Sequence, residues 1–71
     1  MIALDVRGLP PPEPFEQIML ALDTLAKTEV LRVLIHREPY PLYDVLRESG
    51  YLYLTTALPD GNYSIEINRA P

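Results

Sequence analysis

The chain has 71 residues, and its ten acidic and six basic residues give it a net charge of −4 at pH 7. Hydrophobic residues make up 48% of the sequence and charged residues 23%, a mixture typical of a folded globular domain and not of a disordered chain. The negative charge disfavours nucleic-acid binding, which depends on neutralising phosphates. Because the chain contains no cysteine, disulfides and thiol chemistry are excluded. We expect one folded domain over residues 1–71, since this length is too short for two cores.

The first half of the sequence predicts a strand-helix-strand unit. Residues 2–6 alternate in hydrophobicity, which is typical of a half-buried strand, β1. Residues 7–14 contain four prolines and predict a stiff connection, so helix α1 is expected to begin near Pro12. Residues 29–35 predict strand β2, parallel to β1 because a helical crossover joins them. The apolar stripe of α1, predicted to face the core, consists of Phe15, Ile18, Met19, Leu22 and Leu25.

The second half predicts a shorter helix and a β-hairpin. Pro41 opens helix α2, which Gly50 ends. Residues 51–56 and 63–67 predict strands β3 and β4, joined across the turn Pro-Asp-Gly-Asn at 59–62. The order βαβαββ predicts an α/β fold of the α+β two-layer sandwich type, with two helices on one face of a four-stranded mixed sheet.

The N-terminal residues have neither the basic region nor the long apolar region of a signal peptide. No apolar run approaches the roughly 20 residues needed to span a bilayer. We therefore expect a cytoplasmic location and no membrane partner.

The segment that leads into α1 resembles a known motif. Leu-Asp-Val-Arg-Gly-Leu at 4–9, followed by Pro-Pro-Glu-Pro at 11–14, resembles the signature of TusA/SirA-like sulfur carriers. The resemblance implies a persulfide-carrying cysteine at the start of the helix, where a helix N-terminus lowers the pKa of a thiol. Pro11 occupies that position in this chain. The scaffold is therefore implied, but sulfur transfer is not.

Together with His-Arg-Glu-Pro-Tyr-Pro-Leu at 36–42, the same motif is similar to the DUF2249 group of that superfamily over essentially the whole chain. This resemblance implies a bacterial or archaeal protein. It also implies a hemerythrin-like or redox partner, because some members of the group occur beside or fused to hemerythrin-like domains.

Ligand-binding candidates gather at the edge of the sheet where β1 and β2 end and both helices begin. Guanidinium groups, an imidazole and two helix N-termini are typical of a small-anion or redox-ligand site, although each proline removes an N–H that an anion could use. In the structural alternative, Arg7 pairs with Asp5 or Glu38, and His36 caps the local backbone. The ligand-binding candidates are Arg7, Gly8, Glu13, His36 and Arg37.

Catalysis and metal binding have less support in the sequence. His36 is the chain's one histidine, so any acid–base role near neutral pH falls to it. A metal site would need Glu13, Glu38 or Asp5 as oxygen ligands, and no metal-binding motif is present. We assign no catalytic residue, metal or cofactor, and we expect binding in preference to catalysis.

The uncovered face of the sheet is a candidate interface. If Leu52 and Leu54 point toward the helices, the tyrosines of β3 lie on the open face, and tyrosine is enriched at interfaces. The interface candidates are Arg32, Leu34, Tyr51 and Tyr53. The sequence thus predicts a non-catalytic binding or interaction module, with an unidentified protein partner or a second copy of the chain. The alternative is a small-anion or redox-ligand protein that uses Arg7, His36 and Arg37.

Overall fold

The computed structural model describes residues 1–71 and has the predicted order of strands and helices. The elements are β1 (Ile2–Asp5), α1 (Glu13–Asp23), β2 (Leu31–Ile35), α2 (Tyr40–Glu48), β3 (Tyr51–Ala57) and β4 (Tyr63–Arg69). The strands form one sheet in the order β1-β2-β4-β3, in which β1 and β2 are parallel and the other pairs are antiparallel. The predicted mixed sheet with two helices is confirmed. Neither helix has the length and apolar character needed to cross a bilayer.

One continuous core lies between the helices and the sheet. It contains 12 buried residues, all of them hydrophobic, and no polar or charged residue is buried. Burying one large aliphatic side chain contributes about 1.5–3 kcal/mol, so this cluster is the main source of stability. The buried residues are Val6, Ile18, Leu22, Leu25, Leu31, Val33, Ile35, Leu42, Tyr43, Leu46, Ile65 and Ile67.

The predicted turn between β3 and β4 is present. The N–H of Leu58 donates to the carbonyl of Asn62 at 2.8 Å, and Gly61 has a φ of +87°, which residues with a Cβ rarely adopt. The carboxylate of Asp60 accepts a hydrogen bond from the N–H of Asn62 at 3.1 Å, and this interaction lowers the pKa of Asp60. Glycine and aspartate therefore stabilise the turn by different means.

The predicted orientation of β3 is wrong. Tyr51 and Tyr53 pack against the core on the helix side, whereas Leu52 and Leu54 lie on the open face, 52% and 64% exposed. The ring of Tyr53 stacks on the ring of Tyr43 in α2, with centroids 4.5 Å apart and an interplanar angle of 1°. Because successive side chains of a strand alternate between faces, this one contact fixes the direction of its neighbours.

Arg32 and Leu34 lie on the open face, as the alternation of β2 predicts. The guanidinium of Arg32 donates to the carboxylate of Glu66 on β4 at 2.9 Å. Glu66 is in turn the register partner of Leu54 on β3. The open face therefore combines exposed leucine side chains with one neutralised ion pair.

Candidate functional site

Both helices begin with the same short pattern, a proline on either side of one residue. α1 begins with Pro12-Glu13-Pro14 and α2 with Pro39-Tyr40-Pro41, so proline is both the N-cap and the second helical residue. Proline suits these positions because its φ matches the first turn and its missing N–H would lack a helical partner. Both N-termini are consequently stiff and have few free hydrogen-bond donors.

Several of the remaining donors are already used by the backbone. The N–H groups of Glu13, Tyr40 and Leu42 donate to nearby backbone carbonyls at 3.0, 3.1 and 2.9 Å. Helix N-termini bind anions through free N–H groups. These two N-termini therefore lack much of what the predicted anion site would require.

An open cleft of about 320 Å³ lies between the two N-termini. Its walls include the side chains of Leu9 and Phe15, and Phe15 was predicted to belong to the core. That prediction is wrong, because Phe15 is 38% exposed and stands one turn above the buried Ile18. The prolines that line the cleft are Pro11, Pro12, Pro14, Pro39 and Pro41.

His36 joins the two loops that border the cleft. Its Nδ1 accepts a hydrogen bond from the backbone N–H of Gly8 at 3.3 Å. Gly8 has a φ of +82°, a conformation that residues with a Cβ rarely adopt. An Nδ1 that accepts a hydrogen bond carries no proton, so in this arrangement the proton of the neutral ring is on Nε2. His36 therefore has a structural bond on one nitrogen and a free donor on the other.

Arg7 is paired within its own loop. Its Nε and Nη2 donate to the two carboxylate oxygens of Asp5 at 2.9 and 2.7 Å, and its backbone N–H donates to the same carboxylate at 3.0 Å. These hydrogen bonds lower the pKa of Asp5 to about 2. Neither side chain lines the cleft. Arg7 therefore pairs with Asp5, as the structural alternative predicts.

Arg37 and Glu38 stand side by side at the cleft but differ in their partners. The carboxylate of Glu38 accepts hydrogen bonds from the hydroxyls of Tyr40 at 3.0 Å and Tyr43 at 2.9 Å. Arg37 is exposed and makes no side-chain hydrogen bond or ion pair within the chain. It is therefore the one cationic side chain that lines the cleft and has no partner.

The hydroxyl of Tyr43 connects Glu38 to the sheet. Its single proton goes to the Glu38 carboxylate, so the hydroxyl of Thr55, 2.6 Å away, is the donor toward Tyr43. Burial raises the pKa of Tyr43 to about 12, and the hydrogen bond to Glu38 acts in the same direction. This network fixes the loop that carries Arg37.

The structure brings together only part of the predicted ligand-binding set. His36 and Arg37 line the cleft, whereas Arg7, Gly8 and Glu13 do not. No group of three or more His, Asp or Glu side chains is close enough to hold a metal ion. Sequence reasoning missed the proline walls and Phe15, although the repeated proline pattern at both helix starts was a signal that could have revealed them.

Comparison with known proteins agrees with this architecture. Among solved structures, the crystal structure of the SirA-like protein from Desulfitobacterium hafniense matches with a TM-score of 0.85, over 100% of both chains, at 23% identity. At this identity the likeness concerns the fold alone. No curated protein gives a significant match. A family model described as "Uncharacterized conserved protein (DUF2249)" matches residues 3–69, and the chain therefore belongs to the DUF2249 family.

Proposed function

We propose that the protein is a non-catalytic binding module, which holds the flat apolar part of a small carboxylic acid between its two helix N-termini. The observation that carries the proposal is the cleft itself, with walls of proline, Leu9 and Phe15 and one unpaired guanidinium, that of Arg37. Its volume of about 320 Å³ lies at the lower end of ligand pockets, roughly 300–1,000 Å³. A ligand of about one ring with a short acidic arm fits this size.

The composition of the walls favours an apolar ligand over a bare inorganic anion. Prolines remove backbone donors at both N-termini, and the N–H groups of Glu13, Tyr40 and Leu42 are already bonded. Arg7 is held by Asp5 away from the cleft. Of the three residues predicted for a small-anion site, only Arg37 and His36, through its free Nε2, remain available at the cleft.

The unpaired cation at the cleft, Arg37, favours an acid over a neutral ligand. Glu38 has two tyrosine hydroxyls bonded to its carboxylate, whereas the guanidinium of Arg37 has no partner. A guanidinium binds a carboxylate through two parallel hydrogen bonds, and a bond to a charged group contributes about 1.5–3 kcal/mol. Arg37 would thus orient the acidic end of the ligand at the rim.

Pro11 supports a binding role without covalent catalysis. It lines the cleft at the position where the resemblance to sulfur carriers implies a cysteine. A proline ring has no nucleophile, so this position can contribute contact area but not a covalent intermediate.

NMR titration of the amide signals tests the proposal with three probes: phenylacetate, its neutral analogue phenylacetamide, and sulfate. We expect phenylacetate to bind most tightly and to shift the signals of Phe15, His36 and Arg37. Arg37→Ala should weaken phenylacetate binding about tenfold, equivalent to about 1.4 kcal/mol, and leave phenylacetamide unaffected.

Arg32→Ala is the matched control, because Arg32 lies on the open face of the sheet and not at the cleft. It should leave all three titrations unchanged. If neither phenylacetate nor phenylacetamide shifts the signals of residues at the cleft, the binding site is refuted. Tighter binding of sulfate than of phenylacetate would support the small-anion alternative instead.

A further inference from the structure

β3 is an outer strand of the sheet, and its free edge is unprotected. It pairs only with β4, through seven consecutive residue pairs without a bulge. Its sequence, Tyr-Leu-Tyr-Leu-Thr-Thr-Ala, contains no charged residue, proline or glycine. Edge strands of soluble proteins usually carry such residues or bulges, because a plain edge pairs with another chain.

The hydrogen bonds at the two ends of the β3–β4 ladder identify the groups that face this edge. The N–H of Ala70 donates to Gly50 at 2.9 Å, and the N–H of Leu58 donates to Asn62 at 2.8 Å. Both pairs continue the ladder register, in which hydrogen-bonded and non-hydrogen-bonded pairs alternate. Even-numbered residues of β3 therefore bond to β4. The residues that direct their N–H and C=O groups to the free edge are Tyr51, Tyr53, Thr55 and Ala57.

The opposite edge of the sheet, β1, is different. β1 has four residues and ends at Asp5. The Asp5 carboxylate accepts the backbone N–H and the guanidinium of Arg7, which places a charged pair at the end of the strand. Short length and charge are two ways in which proteins block an edge. The β3 edge is the longer of the two and has neither of these protections.

The side chains along β3 complement those of a second, antiparallel β3. Only the odd-numbered residues offer hydrogen bonds at the edge, so odd residues must pair with odd residues and even with even. A two-fold axis at Tyr53 then sets Leu52 of each copy opposite Leu54 of the other, in a non-hydrogen-bonded pair where side chains are closest. Leu52 and Leu54 are 52% and 64% exposed in the single chain, and this contact would cover them.

Charges on α2 favour the same arrangement. Arg47 donates to the hydroxyl of Tyr53 at 2.7 Å and forms an ion pair with Asp44, so both charges stand beside β3 on the helix side. The two-fold axis brings α2 of each copy near α2 of the other, in opposite directions. Arg47 of one copy can then face Asp44 of the other, which gives attraction between unlike charges and no conflict between like charges.

We propose that two copies of this chain associate through β3, around a two-fold axis, so that their four-stranded sheets become one continuous sheet. The occupant is a second copy because the edge, the leucine pair and the Arg47–Asp44 pair are each self-complementary. The β3 edge is separate from the cleft, so association through it does not depend on the proposed ligand.

Sedimentation equilibrium of the whole chain is the first test, at protein concentrations between about 10 µM and about 1 mM, where small interfaces associate. The apparent mass should rise from 8.1 kDa toward twice that value as concentration increases. Leu54→Lys should remain at the monomer mass throughout. Leu20→Lys is the matched control, because Leu20 is 62% exposed and lies on α1, far from β3 in sequence. This variant should associate like the unaltered chain.

Amide hydrogen exchange at low and high protein concentration tests the pairing edge itself. The N–H groups of Tyr53 and Thr55 should exchange at least tenfold more slowly at high concentration, whereas those of Leu52 and Leu54, already bonded to β4, should change little. A monomer mass at every concentration would overturn the proposal. So would equal loss of association in Leu20→Lys and Leu54→Lys, or a dimer without added protection at Tyr53 and Thr55.

Discussion

The two faces of the sheet carry similar residue types but have different surroundings. Leu46 on α2 packs against one face and is fully buried, whereas Leu54 on the other face is 64% exposed. The covered face also has a polar network around Tyr43, and the open face has one ion pair, Arg32 with Glu66. Both faces of the sheet carry apolar side chains, but the helices cover only one of them. The contribution of a leucine to the free energy of unfolding therefore depends on which face it occupies and not on residue type alone.

Two leucine truncations should differ most. Leu46→Ala should lower the free energy of unfolding by about 2–5 kcal/mol, because it leaves a cavity in the core. Leu54→Ala should lower it by less than about 0.5 kcal/mol, because an exposed side chain loses little contact. Urea unfolding of dilute, monomeric protein measures both values.

If Leu46→Ala fails to fold, Ile65→Val provides a milder truncation at a fully buried position. Its expected loss is about 0.5–1.5 kcal/mol. Equal losses for Leu54→Ala and the core variants would mean that the two faces are equivalent, contrary to their burial.

Alkaline pH should weaken the covered face through Tyr43. Its folded pKa of about 12 is above the ordinary tyrosine value of about 10, so the folded chain favours the neutral phenol. This stabilising contribution is complete below pH about 10 and is lost as the pH rises toward about 12. Urea unfolding across this pH window measures the loss.

Tyr43→Phe serves as the comparison for that measurement. It should cost about 1–2 kcal/mol at neutral pH, because the hydrogen bonds to Glu38 and Thr55 disappear. It should also show a smaller loss of stability than the unaltered chain between pH about 10 and about 12. An identical alkaline profile in both proteins would show that Tyr43 does not contribute to it.

The smallest effect is expected on the open face. Arg32→Ala removes an exposed ion pair with Glu66 and should change the free energy of unfolding by less than about 1 kcal/mol. Unfolding in low and high salt should show that even this difference decreases with added salt. A larger, salt-independent loss would mean that the open face is coupled to the core.

The sequence predicted the fold well where its pattern allowed one solution. The alternation in β2 and the Pro-Asp-Gly-Asn turn each permit only one arrangement, and both were predicted correctly. In β3, tyrosine and leucine alternate, so both faces of the strand are apolar and periodicity cannot choose between them. Packing decides which face of β3 points to the helices. Tyr53 stacks on Tyr43 and its hydroxyl accepts a hydrogen bond from Arg47, and leucine could make neither contact.

The candidate site was predicted only in part for a similar reason. Topology correctly brought Gly8 and His36 to the same edge, where they form a hydrogen bond. Whether Arg7 would point to a ligand or to Asp5 depends on side-chain geometry that no spacing encodes. Phe15 falls on the apolar stripe of α1 but lies in its first turn, where it is partly exposed at the cleft.

The proline walls of the cleft also influence how selective any binding would be. A proline ring has almost no rotamer entropy to lose, so contact with it does not carry the ordering cost that long, flexible side chains incur. The same property prevents Pro11, Pro12, Pro14, Pro39 and Pro41 from moving aside for a poorly fitting molecule. A cleft of this kind selects ligands by shape complementarity, and we expect it to bind a narrow set of molecular shapes.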